Sequence, residues 1–205
     1  MYTKYMDLNI KNTPKRIKKK DAILDSALTI FSIYGYNNTK LEQITESLSL
    51  TDKSIYYYFS SKGDLFIEVI RLVQNKLDVL IKSINESDTD HLEKIKLYTA
   101  KAMTINGLTL LMELPQSLSD FARYDEIKAN ESRQYEVWTT WFKKGQLEGS
   151  IIQGSPSKQR NFLLGSLFYL HSLYSVKDHE VYSELQPLID QMIDRMFSTK
   201  FGLLK

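Results

Sequence analysis

Apolar positions recur at three- and four-residue intervals along this chain, the period of amphipathic helices. Thr13-Pro14 starts the first helix, since proline at the first helical position gives up an amide that has no partner anyway. Its buried stripe is Ile23, Ala27, Phe31 and Tyr34, and Gly35 ends it. Leu41, Ile44 and Leu48 then mark one face of a short helix whose free amides Thr39 can cap. A second short helix begins at Thr51, another good cap, with Asp52 in its first turn and Ile55 and Phe59 facing the core. Lys62-Gly63-Asp64 opens a long helix to about Asn85 through Leu65, Phe66, Val69, Ile70, Val73, Leu77, Leu80, Ile81 and Ile84.

The pattern continues with Ser87-Asp88-Thr89-Asp90 as a loop and cap and a helix from about Asp90 to Leu114, weakened at Gly107 and stopped or kinked by Pro115. A short helix to about Tyr124 and a longer one from Asp125 to Leu147 follow, then a turn-rich exit marked by Gly145, Gly149 and Gly154. Ser155-Pro156 restarts a helix to about Val176 that is apolar nearly all round and so must be covered on more than one side. The last helix runs from about Val181 to Thr199, with Pro187 in its first turns. The expected fold is all-α, with about nine helices.

The polar positions single out one stretch. Around Ile55 and Phe59 the second short helix carries Lys53, Ser54, Tyr56, Tyr57 and Tyr58, more polar and amphipathic side chains than so short an element can bury. Phosphate oxygens and base edges accept from all of these donors. Two short helices separated by three or four residues, the second so decorated, form the layout of a helix-turn-helix that reads DNA. A tyrosine run alone is more often packing; its register with the first helix and with Lys62 favours recognition.

Composition bounds the rest. The 205 residues, 42% hydrophobic and 25% charged, are ordinary globular usage for one large or two small domains. The net charge of +2 is unevenly spread: residues 1–64 hold ten Lys/Arg against seven Asp/Glu. Lys11, Lys15, Arg16, Lys18, Lys19 and Lys20 place six cations and no acid in ten residues, which beside a helix-turn-helix reads as a phosphate clamp. There is no cysteine, and His91, His171 and His179 are too scattered for a metal motif. Neither a glycine-rich phosphate loop nor a G-x-S-x-G elbow occurs, so an enzyme is not expected, nor a metal or cofactor. No apolar run approaches a membrane span, and a cytoplasmic protein is expected.

Residues Ile44, Ser49-Leu50, Ile55 to Phe59, Lys62 and Asp64-Leu65-Phe66, with Ile23, Ala27, Phe31, Gly35-Tyr36 and Thr39 upstream, resemble the DNA-binding segment of TetR-family (TetR/AcrR) regulators. The likeness covers roughly residues 15–70 in register, without a gap. Ser49 stands where that family usually has Gly in the turn, so it must adopt whatever backbone the turn imposes, at a cost of about 1 kcal/mol if left-handed. Asp52 stands where Lys is common, Lys53 where Gly is common, and Glu42 where some relatives have Arg.

The resemblance implies an N-terminal three-helix DNA-binding domain, residues 1–62, and a larger helical ligand-binding and dimerisation domain, residues 63–205. The expected DNA contacts are Lys15, Lys18, Thr39, Lys40, Thr51 and Lys53, together with Ser54, Tyr56, Tyr57, Tyr58 and Lys62. A mostly apolar effector pocket is expected among Tyr98, Met103, Phe121, Tyr124 and Trp138, with Trp141, Phe142, Phe168 and His171. Its lack of clustered charge points to a neutral, aromatic or lipid-like compound. The last two helices are expected to form a homodimer interface through Phe162, Ser166, Tyr169 and Leu170, with Leu173, Leu188, Met192 and Met196. The expected function is a repressor that binds a palindromic double-stranded DNA operator and is released by a small molecule. The alternative is an architectural or interaction-type DNA-binding protein without a ligand.

Overall fold

In the computed structural model the chain is described over residues 14–121, 123–173 and 179–200. Eight α-helices occupy these residues: α1 Pro14–Asn38, α2 Leu41–Ser47, α3 Asp52–Tyr56, α4 Lys62–Asn85, α5 His91–Ala102, α6 Tyr124–Glu148, α7 Pro156–Leu173 and α8 His179–Phe197. The helices begin and end for local reasons. The Ser61 hydroxyl accepts from the Asp64 amide at 3.1 Å at the start of α4, and the Asp90 carboxylate accepts from the Glu93 amide at 2.9 Å at the start of α5. Gly35, at φ 73° and ψ 170°, breaks α1 where the chain turns toward α2, as its position predicts. Gly149 closes α6 in the left-handed conformation, whereas Gly145, expected in the turn, stays inside the helix, where a Cβ would lie 2.5 Å from Ile151 Cδ1.

The expected helix from Asp90 to Leu114 is two elements. It stops at Ala102, and after Gly107, at φ 84°, only a 3₁₀ turn over Leu108–Met112 follows. Tertiary packing decides this break: a Cβ on Gly107 would lie 2.4 Å from Leu28 Cδ1 of α1, so the backbone approaches α1 too closely for a side chain. The expected short helix to Tyr124 is likewise reduced to one 3₁₀ turn, Gln116–Leu118. The loss of that short helix brings nine expected helices to eight α-helices among the described residues. The lead before Pro14 and the expected end of α7 beyond Leu173 lie outside the described residues.

Two apolar cores meet along α4. One joins Ile23, Ala27 and Phe31 of α1 to Ile44, Ile55 and Phe59, and to α4 from Leu65 to Val73. Phe66 is its centre, with its ring 5.0 Å from Phe31 and 4.7 Å from Tyr36. The other joins α4 from Leu77 to Ile84 with Tyr98, Trp138, Trp141, Phe142, Leu163 and Ile193 of α5 to α8. At 24 residues and about 1.5 Å per residue, α4 is a single rod of about 36 Å shared by both cores. An ion pair ties its middle to the start of α6, where Arg123 meets Glu68, which also pairs with Arg71 of α4 itself.

Candidate nucleic-acid interface and interior cavity

The turn between α2 and α3 is a Schellman motif: the Leu50 amide donates to Thr45 O at 2.8 Å and the Ser49 amide to Glu46 O at 3.1 Å. The motif needs a left-handed residue, and Ser49 supplies it at φ 53°, as its substitution for glycine predicts. Asp52 also has a structural task here. Its carboxylate accepts from the buried Thr45 hydroxyl at 2.9 Å, tying α3 to α2.

From there α3 drives Ile55, fully buried, into the core, and the turn that continues it, with the Phe59 amide donating to Ile55 O at 2.9 Å, brings in Phe59, 2% exposed. Its other side is open: Tyr56 is 56% and Tyr57 64% exposed, Lys53 and Thr51 are exposed, and Ser54 and Tyr58 are half-buried. Lys40 and Glu42 of the α2 start are exposed, as are Lys18 and Lys19 on α1, while Lys20 lies 5.5 Å above the Phe59 ring. The side chain of Lys15 lies outside the described residues.

Two expected contacts take inward roles. Thr39 is 2% exposed and its hydroxyl donates to Gly35 O at 2.8 Å, so it braces the α1 exit. Nor does it cap α2. The Lys40 amide there donates instead to the Gln43 side chain at 2.7 Å, a partner three residues on that the Thr39 reading overlooked. Lys62 donates to Thr39 O at 2.9 Å and sits 4.5 Å over the Tyr36 ring, a clasp across the same exit. Burial lowers its pKa. Thr51 does stand at the start of α3, but its hydroxyl does not cap it; it lies 3.5 Å from Ser54 Oγ.

A cavity of about 60 Å³ lies between α4, α5, α6 and α7, closed on one side by Leu108, Leu111 and Met112. Of the expected pocket residues Tyr98, Met103, Trp138 and Phe168 line it. The remainder go elsewhere. Trp141 donates from its indole to Asn85 Oδ1 at 2.8 Å, and Phe142 packs on Phe197 of α8, the ring centroids 5.2 Å apart. Tyr124 belongs to the first core and donates to Gln116 Oε1 at 3.2 Å, and Phe121 abuts Gly63. His171 is buried beside the backbone of Ile105, and burial holds its pKa below the ordinary histidine value.

The polar part of the cavity was missed by a search for aromatics. Gln74, Thr99, Glu131, Gln134 and Tyr135 line it. Asp78 behind them accepts from Gln134 Nε2 at 2.8 Å and from Asn130 Nδ2 at 3.0 Å, and Gln74 donates to Ile127 O at 3.0 Å. Burial chiefly, then the neighbouring Glu131 carboxylate, pushes the Tyr135 hydroxyl up to about 12. Spacing held the signal: Gln74 and Asp78 are four apart on α4, as are Asn130 and Gln134 on α6.

On the far helices, Phe162, Tyr169 and Leu173 of α7 are 60%, 65% and 56% exposed, and Leu188 of α8 is 62% exposed. Gly165 between them has open space where a side chain would be. Ser166 turns its hydroxyl back to Phe162 O, and Leu170, Met192 and Met196 pack against the second core.

An all-helical chain that presents a helix-turn-helix ahead of a larger helical core defines a class, the helix-turn-helix transcriptional regulators. The model for bacterial regulatory proteins of the tetR family matches residues 23–69. The HTH-type transcriptional regulator RutR of Escherichia coli K12 is 39% identical over 152 residues, spanning 67% of this chain and 70% of RutR. The chain belongs to the tetR family. IcaR of Staphylococcus aureus strain Newman, the negative transcriptional regulator of the biofilm operon icaADBC, is 31% identical over 138 residues, 56% of this chain and 74% of IcaR. Among solved structures, AibR in complex with isovaleryl coenzyme A and operator DNA shares the fold, with a TM-score of 0.72 at 14% identity over 87% of this chain and 98% of AibR. These relatives are transcriptional regulators, not enzymes. Among the described residues no helix is long and apolar enough to cross a membrane.

Proposed function

We propose that this protein is a repressor that binds a roughly palindromic operator as a homodimer and leaves it when a small, largely apolar effector fills the interior cavity. The observation that carries the reading is the two-sidedness of α3: Ile55 and Phe59 are locked in the core while Tyr56 and Tyr57 stand more than half exposed. Residues 1–62 hold the DNA. Tyr56, Tyr57, Lys53 and Thr51 face the groove, Ser54 and Tyr58 flank it, and Lys40, Lys15 and Lys18 meet phosphates. Thr39 and Lys62 act behind them by fixing the approach of α2.

Residues 63–205 form the regulatory and dimerisation part. The exposed apolar face of α7, with Leu188 of α8, supports pairing with a second copy, because a patch of that kind is rarely left to water. A pair presents two α3 helices to half-sites about 34 Å apart. An effector releases DNA only by favouring the conformer in which that spacing is wrong. The shared rod α4, lining the cavity through Ile70, Gln74 and Leu77, is the element that carries the shift. The name of IcaR as a negative regulator and the operator complex of AibR support the repressor reading. A cytoplasmic site of action goes with it.

The test is fluorescence anisotropy of the protein against DNA from directly upstream of its own gene and against a shuffled duplex, at two salt concentrations, with sedimentation velocity on the same samples. Tight binding to the first duplex by a dimer is expected. Equal, salt-sensitive binding to both duplexes would favour an architectural binder instead.

A further inference from the structure

Several donors on the polar flank of the cavity are already committed. Gln134 Nε2 donates both to Gln74 O at 3.2 Å and to Asp78 Oδ1 at 2.8 Å, which fixes its amide so that Oε1 is left as an acceptor. The Tyr135 hydroxyl donates to Glu131 Oε1 at 2.9 Å, and Thr99 Oγ1 to Ile95 O at 2.8 Å. The strongest acceptor on this side is the Glu131 carboxylate. The rings of Tyr98, Trp138 and Phe168 line the same cavity, and aromatic faces attract cations.

The charges near the cavity are equally one-sided. Glu131 is the one charged residue in its lining, and neither Lys nor Arg contributes to it. The cations nearby are occupied from outside: Arg160 donates to Thr139 Oγ1 and covers the outer face of Tyr135 at 5.0 Å, and Arg133 donates to Asn130 Oδ1. Lys128 pairs with Glu131 from a half-exposed position. It is the ammonium that already meets this carboxylate, and it can return to water when another takes its place.

We propose that the cavity takes a protonated amine on an apolar body, its ammonium donating to Glu131 and to Gln134 Oε1 and its apolar part lying among Tyr98, Trp138 and Phe168. This rests on the cavity being the effector site and names the effector class. A carboxylate ligand of the same shape would be repelled by Glu131 and would meet no Lys or Arg in the lining. The cavity of about 60 Å³ must widen for such a ligand, and Met103 and Met112, unbranched and rotamer-rich, are the side chains that yield.

The experiment uses three probes of one length, n-octylamine, n-octanol and n-octanoate, titrated into the full-length protein at neutral pH. Tryptophan fluorescence reports binding, since Trp138 lines the cavity, and thermal unfolding checks it. Octylamine is expected to bind about tenfold tighter than octanol, with octanoate weakest, and Glu131→Gln to bring the amine to the affinity of the alcohol. Tyr135→Phe, which frees Glu131 Oε1 without touching charge, should retain the preference for the amine. If octanol or octanoate binds as tightly as octylamine, or Glu131→Gln leaves the amine affinity unchanged, the amine assignment is overturned while the cavity stands as an effector site. If none of the three binds, both the assignment and the effector site fall.

Discussion

The two cores that share α4 handle polar groups in opposite ways. Around Phe66 the buried polar residues are Thr39 and Thr45, each hydroxyl tied to one fixed partner, Gly35 O and the Asp52 carboxylate. Around Trp138 the buried polar residues include, besides Thr99 and His171, the amides Gln74, Asn130 and Gln134, which carry both donors and acceptors and surround Asp78 beside a cavity. Close-packed rings leave neither space nor an open polar group, whereas the amides of the second core carry donors and acceptors beside a cavity. One end of the molecule therefore closes around its polar groups, and the other presents them at a cavity. The rod between them belongs to both.

The largest effect that can break this contrast is in the aromatic core. Phe66→Ala removes a fully buried ring between Phe31 and Tyr36 and should cost about 3 to 5 kcal/mol in urea unfolding; a loss below about 1 kcal/mol would mean that this end relaxes as readily as the other. Next comes Gln134→Leu, which takes one donor from Asp78 and should cost about 1 to 3 kcal/mol. Because the network spans α4 and α6, the same variant should alter the effector response in the anisotropy assay; an unchanged response would confine the network to stability.

Tyr56→Ala and Tyr57→Ala should each weaken operator binding by about 1 to 3 kcal/mol while shifting unfolding by no more than about 0.5 kcal/mol, since both rings are already in water. Equal losses on random DNA would make them backbone contacts. The pH dependence separates the cores again. Burial depresses the His171 pKa, so its contribution is complete above the unfolded value near 6.5 and is lost as pH falls through the folded value. The slope should not exceed about 1.4 kcal/mol per pH unit, and His171→Leu should flatten it in urea titrations at stepped pH. Smallest is Ser49→Gly, expected to stabilise by about 1 kcal/mol because glycine adopts the left-handed turn without strain. A lower melting temperature in that variant would show that the Ser49 side chain contributes something the turn geometry does not.

Much of this was legible before any fold. Ile44, Ile55 and Phe59 announced the inner side of the helix-turn-helix by spacing alone, and the demand on Ser49 followed from the turn. The breaks at Gly35 and Gly149 and the cap at Asp90 could be read locally too. Other features could not. Trp138, Trp141 and Phe142 are neighbours on α6, yet only Trp138 reaches the cavity, because residues three or four apart share a helix face without revealing which helix that face will meet. Lys62 looked like a phosphate contact until the α1 exit was found folded beneath its ammonium.

The sequence by itself determined the helices, their order, and the charged and tyrosine-bearing surface of α3, since periodicity, caps and turn residues act over a few positions along the chain. Tertiary structure alone decided that the chain after Ala102 would leave the helix to pass against Leu28, that Gln74 and Gln134 would meet across Asp78, and that a cavity would open beside them. Those outcomes depend on residues about thirty to eighty positions apart finding one another, and such contacts arise only when whole helix faces pack.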